Sequence, residues 1–285
     1  MKNRKVYPIL IPLHYGANYS GIKYGAEYLT KVLDDYILLP ELKVEDQTTD
    51  PHLKNLSSVI ATNELLFSVT KTIYQAHNFP LIIGGDHSVA LGSISAVAND
   101  EDDLGVIWID AHGDMNTEQT TESGNIHGMI LAALLGKGTD SLVNLGEDKI
   151  KIKKENVYIF GVRDLDDEEK ATIERLHINY YSYKTIEKVG LEHAVEEVID
   201  YFKGKINRLH LSLDLDAMNP NIIPGVSVPV ANGFNKEDIK FIIKKFFQRY
   251  SISSCDIVEY NPLKDKDNMT LNYIVELVHL IKELV

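Results

Sequence analysis

One cysteine in 285 residues, Cys255, rules out an intrachain disulfide and points to a reducing compartment. It lies in the apolar run Ile252-Ser-Ser-Cys-Asp-Ile-Val258, where a buried thiol with a packing role fits better than a nucleophile. Positive charge is scarce too: 29 Lys and Arg stand against 42 Asp and Glu, a net charge of −13. Such a surface repels nucleic acid and anionic membranes and mildly favours a cationic small molecule, although solubility alone accounts for many acidic surfaces. No apolar segment has the length that a bilayer span needs. The opening Met1-Lys-Asn-Arg-Lys5, followed by Val6-Tyr-Pro-Ile-Leu-Ile-Pro-Leu13, imitates a secretory leader. Two prolines interrupt it and no small-residue cleavage site follows, so it reads as a first strand and the protein as cytoplasmic. Fixed-period repeats, low-complexity tracts and Pro/Gly-rich linkers are missing as well. Residues 1–285 are therefore expected to form a single large domain.

What the chain does have is a regular alternation of short apolar runs and longer amphipathic stretches. Strands are expected at residues 6–11, 36–39, 81–83, 104–109, 157–160, 178–181, 209–215 and 252–258. Several are unbroken Ile/Leu/Val runs, as in strands covered on both faces. Helical patterns occupy residues 89–98, 167–176, 191–202 and 236–250. A last helix is expected over 269–284, where Ile274, Leu277, Val278 and Ile281 recur at three- and four-residue spacing. This alternation builds βαβ units, so the fold class is α/β: a single-domain three-layer α/β/α architecture with a mainly parallel, roughly eight-stranded sheet. Glu101-Asp-Asp103 reads as a solvated loop. In open parallel sheets ligands sit beyond the carboxyl ends of the strands, which says where the chemistry should lie.

Three strand ends each release a burst of polar residues. After Leu81-Ile-Ile83 comes Gly84-Gly-Asp-His-Ser88, whose glycine pair permits a sharp turn that brings His87 to the mouth of the sheet. After Val106-Ile-Trp-Ile109 comes Asp110-Ala-His-Gly-Asp114; in extended backbone Asp110, His112 and Asp114 share a face. In Leu209-His-Leu-Ser-Leu-Asp214-Leu-Asp216 the same spacing aims two carboxylates one way. A lone Asp or His at a strand end is ordinarily a cap or a satisfied turn residue, and His177, His210 and His279 are read so. Four aspartates and two histidines at three strand ends are different. Packed against an apolar sheet the carboxylates repel one another, and each is costly to desolvate without a partner. No Lys or Arg accompanies them, so divalent cations are the natural partners. Oxygen ligands with about one imidazole per ion and no thiolate suit Mn²⁺ best, with Co²⁺, Fe²⁺ or Zn²⁺ as alternatives. Paired ions sharing one water lower its pKa, which makes hydrolysis the expected chemistry.

At these residues the sequence resembles the arginase family of ureohydrolases, over nearly the whole chain from Gly84 onward. Gly84-Gly-Asp-His-Ser88, Asp110-Ala-His-Gly-Asp-Met-Asn116 and Ser212-Leu-Asp-Leu-Asp216 resemble its three metal-binding signatures. The resemblance implies two Mn²⁺ ions per subunit. His87, Asp110, Asp114 and Asp214 would hold one, and His112, Asp110, Asp214 and Asp216 the other. The segment Asn116-Thr-Glu-Gln-Thr-Thr-Glu-Ser123-Gly-Asn125-Ile-His127-Gly128 is similar to the arginase version, not to the agmatinase or formiminoglutamase versions. It implies that Asn116, Thr121 and Ser123, with Asn125 beside them, bind the substrate α-carboxylate and that His127 shuttles a proton. Gly161-Val-Arg-Asp-Leu-Asp166-Asp-Glu-Glu169 resembles the loop whose acidic residues, here Asp166 and Glu169, recognise the α-amino group. Asp256-Ile-Val-Glu259-Tyr-Asn-Pro262 resembles the motif whose glutamate grips the guanidinium. The side chains agree: neutral Asn, Thr and Ser groups can hold a carboxylate, and a carboxylate can pair with a guanidinium through two hydrogen bonds.

The implied activity is hydrolysis of L-arginine to L-ornithine and urea. A hydroxide shared by the two ions, oriented by Asp114, would attack the guanidinium carbon, with Glu259 and the ions stabilising the tetrahedral intermediate. A homo-oligomer, trimer or hexamer, is implied by the resemblance alone. The chain departs from the family at Pro224-Gly-Val-Ser-Val228-Pro-Val230, where arginases usually carry Thr-Gly-Thr-Pro, and at Asn219-Pro in place of Asp-Pro. Gly21-Ile-Lys-Tyr-Gly25 echoes the family's Gly-rich segment only loosely. Three alternatives stay open: an amidinohydrolase for a guanidino compound without the α-amino acid group, a metallophosphatase hinted at by Asp110-Ala-His-Gly, and a binding protein that has lost catalysis.

Overall fold

The computed structural model describes residues 4–285; the first three residues of the leader-like opening, Met1 to Asn3, lie outside the described residues. Eight strands form one sheet: β1 (Val6–Leu10), β2 (Ile37–Leu38), β3 (Phe79–Ile83), β4 (Leu104–Ile109), β5 (Val157–Val162), β6 (Asn179–Ser182), β7 (Arg208–Asp214) and β8 (Ser251–Val258). Their order is β2-β1-β3-β8-β7-β4-β5-β6, and every pairing is parallel. The helices among the described residues are α1 (Tyr24–Leu29), α2 (Leu56–Gln75), α3 (Ala90–Ala98), α4 (Ile130–Leu134), α5 (Asp140–Val143), α6 (Asp167–Leu176), α7 (Tyr183–Val189), α8 (Leu191–Phe202), α9 (Lys236–Arg249) and α10 (Met269–Leu284). All eight expected strands form, and α6, α8 and α10 coincide with the expected helices end to end.

The two faces of each central strand feed two different cores. On β4, Ile107 and Ile109 join the core built with α8, α9 and α10, whereas Val106 and Trp108 join the one built with α2, α3 and α4. That is why β4 reads Leu-Gly-Val-Ile-Trp-Ile with no polar residue: it is buried along its whole length. Helix α2, the longest, was not among the expected helices. Its buried face mixes Leu56, Val59 and Leu66 with Ser58, Thr62, Asn63 and Thr70, so the apolar stripe is broken in the sequence. Three of these polar residues are satisfied locally or across an interface: Ser58 Oγ donates to Val44 O, Thr62 Oγ1 to Ser58 O and Asn63 Nδ2 to Val59 O, while Asn63 Oδ1 accepts from Gly92 N on α3 at 2.8 Å. Glu101-Asp-Asp103 is tied down and not simply solvated. Glu101 accepts from Tyr74 Oη at 2.5 Å, and Asp103 pairs with Lys153 at 2.6 Å.

The topology decides where the chemistry gathers. The chain crosses from β3 to β4 over the places later filled by β8 and β7, so β3, β8, β7 and β4 become neighbours at the centre of the sheet. Those four strands end in the segments that carry His87, Glu259, Asp214 and Asp110. At a strand spacing of about 4.8 Å, the four ends span roughly 14 Å. Residues up to 172 positions apart thereby share one edge, as the His87 N to Glu259 Oε1 bond shows.

Candidate active site

Two clusters of donor atoms stand side by side at this edge: His87, Asp110 and Asp214 form one, and Asp110, His112 and Asp216 the other. Their ligand atoms lie within 4.8 Å of one another, and Asp110 belongs to both. The local backbone makes this possible. Gly84 and Gly85 both take positive φ, 87° and 77°, and swing the chain over β3 into the short turn that presents His87. The Asp110–Asp114 segment does not continue β4 as extended backbone. Asp114 takes φ 50°, so a turn and not strand alternation brings it round. Asp214 ends β7, and its carboxylate caps the next turn by accepting from Asp216 N at 2.8 Å, which aims Asp216 inward.

His87 is the hub of the first cluster. Its Nδ1 lies 3.0 Å from Asp110 Oδ2, 3.2 Å from Asp114 Oδ2 and 3.2 Å from Asp214 Oδ2. None of these contacts has hydrogen-bond geometry: His87 Nδ1 and Asp114 Oδ2 are both buried without a partner. Donor atoms that converge on one point without hydrogen-bond geometry between them are arranged as ligands of a cation, and the residues present fit one. The ring is held from behind, stacked on Trp108 at 3.9 Å and bonded through Nε2 to Ser212 Oγ at 2.9 Å. Trp108 Nε1 also donates to Asp110 Oδ2 at 3.0 Å. In the second cluster His112 Nδ1 lies 3.1 Å from Asp216 Oδ2 and 3.4 Å from Asp110 Oδ1. Asp114 stands against His87 without joining either triad, and Asp214 joins only the first.

The electrostatics of the chain alone follow from burial and crowding. Burial, then the charges of Asp216 and Asp110, push the Asp214 carboxyl well above the usual carboxylate range. Burial raises Asp216 to about 6 against the pull of His112, and burial and Asp110 raise Asp114. Burial opposes the charged forms of His87 and His112, but the surrounding carboxylates outweigh it and hold both imidazoles well above their ordinary value. Asp110 goes the other way: burial would raise it, yet the two imidazoles beside it hold it low.

Glu259 closes the site from β8. It takes φ 67°, accepts from His87 N at 2.9 Å through Oε1, and keeps Oε2 buried with no partner. His127 Nδ1 lies 3.0 Å from the same Oε1. Burial opposes the charge on His127, but the bond to Glu259 and its charge raise the imidazole to about 9.

A cleft of about 240 Å³ opens over this group and is lined by His112, Asp114, Asp214, Asp216 and His127 at the inner end. Asn116, Ser123, Asn125 and Glu169 line it as well, with Val228 and Tyr19. Larger recesses of about 710 and 660 Å³ lie elsewhere, around Lys151 and Arg4, and contain no such cluster. Thr121 and Asp166 do not line the cleft. Thr121 Oγ1 accepts from Gly124 N, which shapes the loop from behind. Asp166 caps α6 in a capping box with Glu169 and accepts from Asn116 Nδ2 at 2.7 Å. Glu169 also accepts from Met115 N, and burial with the charge of Asp114 raises it to about 7. His177 caps α6 in a left-handed conformation and His279 faces out from α10, as expected of residues outside the site. His210 is buried and bonded to Asp256 Oδ2 and Ser254 Oγ, and Cys255 is buried. Two site neighbours were missed. Asp164 Oδ2 lies 3.8 Å from His112 Nε2, and its acidic loop was a visible signal. Tyr19 arrives from a loop beside Asn18 at φ 59°, and no motif marks it.

The fold and this edge define an α/β enzyme whose carboxylate–imidazole cluster is able to hold metal ions. The Arginase family model matches residues 9–281. The arginase of Bacillus subtilis (strain 168) is 44% identical over 229 residues, 80% of this chain and 77% of its own. The arginase of Brevibacillus brevis is 37% identical over 97% of both chains. The crystal structure of arginase from Bacillus subtilis subsp. subtilis str. 168 superposes with a TM-score of 0.89 at 37% identity, covering 98% of each chain. The chain belongs to the arginase family and is a hydrolase acting on a guanidino group.

Proposed function

We propose that the protein is an arginase that converts L-arginine and water to L-ornithine and urea with two Mn²⁺ ions. Co²⁺, Fe²⁺ and Zn²⁺ are the other cations its donor set suits. His87, Asp110, Asp114 and Asp214 would hold one ion, and His112, Asp110, Asp214 and Asp216 the other. The observation that carries the reading is one cleft lined both by residues of that cluster and by Asn116, Ser123 and Asn125, which brings groups suited to a guanidinium and to an amino acid carboxylate into one space. When bound, the ions supply hydroxide near neutral pH and positive charge at the reacting centre.

The rest is the work of the chain. Glu259 offers its unpaired Oε2 to the guanidinium, and a paired planar cation presents its carbon in a fixed orientation. Asp114 orients the nucleophile from the cluster side. The departing amine is a poor leaving group until protonated. His127, held protonated to about 9, carries that proton, and with a side chain 21% exposed it can be recharged from solvent. At the outer end Asn116, Ser123 and Asn125, backed by Thr121, bind the α-carboxylate through neutral groups. Glu169 meets the α-ammonium from the cleft wall, with Asp166 supporting it through the capping box. Residues 1–285 would work as one domain, in the cytoplasm, as a homo-oligomer (trimer or hexamer) by family resemblance. No described helix is long and apolar enough to cross a membrane.

The test is substrate choice. The value of kcat/KM for L-arginine should exceed that for agmatine by roughly two orders of magnitude, because agmatine leaves the carboxylate-binding groups unpaired. Comparable values would move the assignment to a broader guanidinohydrolase.

A further inference from the structure

Among the described residues lining the cleft none is Lys or Arg, and its cationic groups, His112 and His127, stand with Asp114, Asp214 and Asp216 at the inner end. On a chain of net charge −13, the end lined by Asn116, Ser123 and Asn125 offers a substrate carboxylate only neutral groups. One ammonium group is fixed at the carboxylate end from outside the cleft wall. Lys54 Nζ donates to Ser123 O at 2.5 Å, and Lys54 N donates to Gly124 O at 3.1 Å. The contact is closely built. Gly124 takes φ 70°, and a Cβ there would fall 2.3 Å from Pro51 O, so residues 51–54 lie directly against the loop that carries Ser123. The next residue extends the brace: Asn55 Nδ2 donates to Tyr15 O at 3.1 Å, and Gly16 O accepts from His127 N at 3.2 Å. A short stretch before α2 thus supports both Ser123 and the turn behind His127, and Lys54 brings the charge.

We propose that Lys54 determines specificity: its ammonium, held on the Ser123 carbonyl, attracts the substrate α-carboxylate and separates substrates that carry one from those that do not. This rests on the reading of Ser123 as part of the carboxylate-binding end. Lys54 is exposed, so the effect is that of a screened surface pair, roughly twofold to fivefold in KM, and salt weakens it.

The experiment compares metal-loaded wild type, Lys54→Met and Lys54→Arg on L-arginine and on L-argininamide, whose carboxylate is replaced by an uncharged amide. Calorimetric binding of L-ornithine serves as a readout independent of turnover. At low salt Lys54→Met should raise KM for L-arginine, and Kd for L-ornithine, roughly twofold to fivefold with kcat unchanged. L-Argininamide should be unaffected, Lys54→Arg should behave as wild type, and high salt should erase the difference. An unchanged KM and Kd in Lys54→Met would overturn the proposal. So would an equal loss on both substrates, which is what a purely structural brace produces. Wild type that releases no urea from L-arginine would overturn the arginase reading and this inference with it, whereas an active wild type with an indifferent Lys54→Met would overturn the inference alone.

Discussion

Val228 lines the cleft along with His127, Asp114 and Asp214, and it brings two methyl groups to a wall whose other residues are mostly polar or charged. One hydrogen bond to the guanidinium or to Glu259 is worth about 0.5–1.5 kcal/mol, or roughly threefold to tenfold in rate. Val228→Thr is nearly isosteric, so it should raise kcat/KM for L-arginine several-fold with metal content unchanged. A fall on L-arginine together with a loss on 4-guanidinobutyrate would mean that Val228 shapes the pocket for a less polar substrate. His127 gives a second residue-scale expectation, for the metal-free chain. Its pKa is raised to about 9 against burial by the bond to Glu259. A raised value means that the stabilisation is fully present below about 6.5, the ordinary imidazole value, and is lost as pH rises through about 9. The denaturation midpoint of wild type should therefore fall across that interval more steeply than that of His127→Asn; parallel profiles would show that the contact contributes nothing. Most site residues were legible because short motifs at strand ends hold them. Lys54 and Tyr19 were not, because only tertiary packing brings residues 19 and 54 to residues 123 and 127.

Arg163 shows how neighbouring elements keep the site in shape. Placed just after β5, it donates to Asp216 O at 2.6 Å, Ala217 O at 3.2 Å, Val230 O at 3.1 Å and Ala231 O at 3.1 Å. One guanidinium thereby ties the turn that carries Asp216 to the loop that follows Val228. Arg163→Met keeps the aliphatic stem but leaves several carbonyls without a donor, a loss of about 2–4 kcal/mol. The variant should show a correspondingly lower urea midpoint and weaker metal retention. A midpoint matching wild type would remove Arg163 from this account. Between β7 and β8 a bulge has a similar role: Leu209 pairs with Ile252 and His210 with Ser254, leaving Ser253 as the extra residue. Past it, His210 pairs with Ser254 and Ser212 with Asp256, so Asp256 Oδ2 reaches diagonally to His210 Nε2 at 3.0 Å, a register that periodicity cannot disclose. Strands were legible because β3 and β4 are unbroken apolar runs and β7 alternates leucine with polar residues. Helix α2 was not, because the buried Thr62, Asn63 and Thr70 break its apolar stripe, and the partners of Thr62 and Asn63 exist only in the folded chain.

At the scale of the molecule, a single topological fact makes the enzyme: β3, β8, β7 and β4 lie side by side, so four strand ends distant in sequence crowd four aspartates, one glutamate and two histidines together, and the turn at Ile126–Met129 adds His127. The chain alone bears that crowding by holding protons, since Asp214, His87 and His112 are all held well above their ordinary values. Cations must displace those protons, so metal affinity should climb with pH and binding near neutrality should release protons. Calorimetry in buffers of different ionisation enthalpy reads that release, and heats independent of buffer would contradict it. The central claim, that the edge is a two-metal arginase centre, is tested most directly by titrating Mn²⁺ into chelator-stripped protein while following urea release from L-arginine. The account predicts no urea from the stripped protein and a rise that levels off at two ions per chain. Full turnover in a preparation shown to be metal-free by elemental analysis, or saturation with Mn²⁺ and no urea, would contradict it.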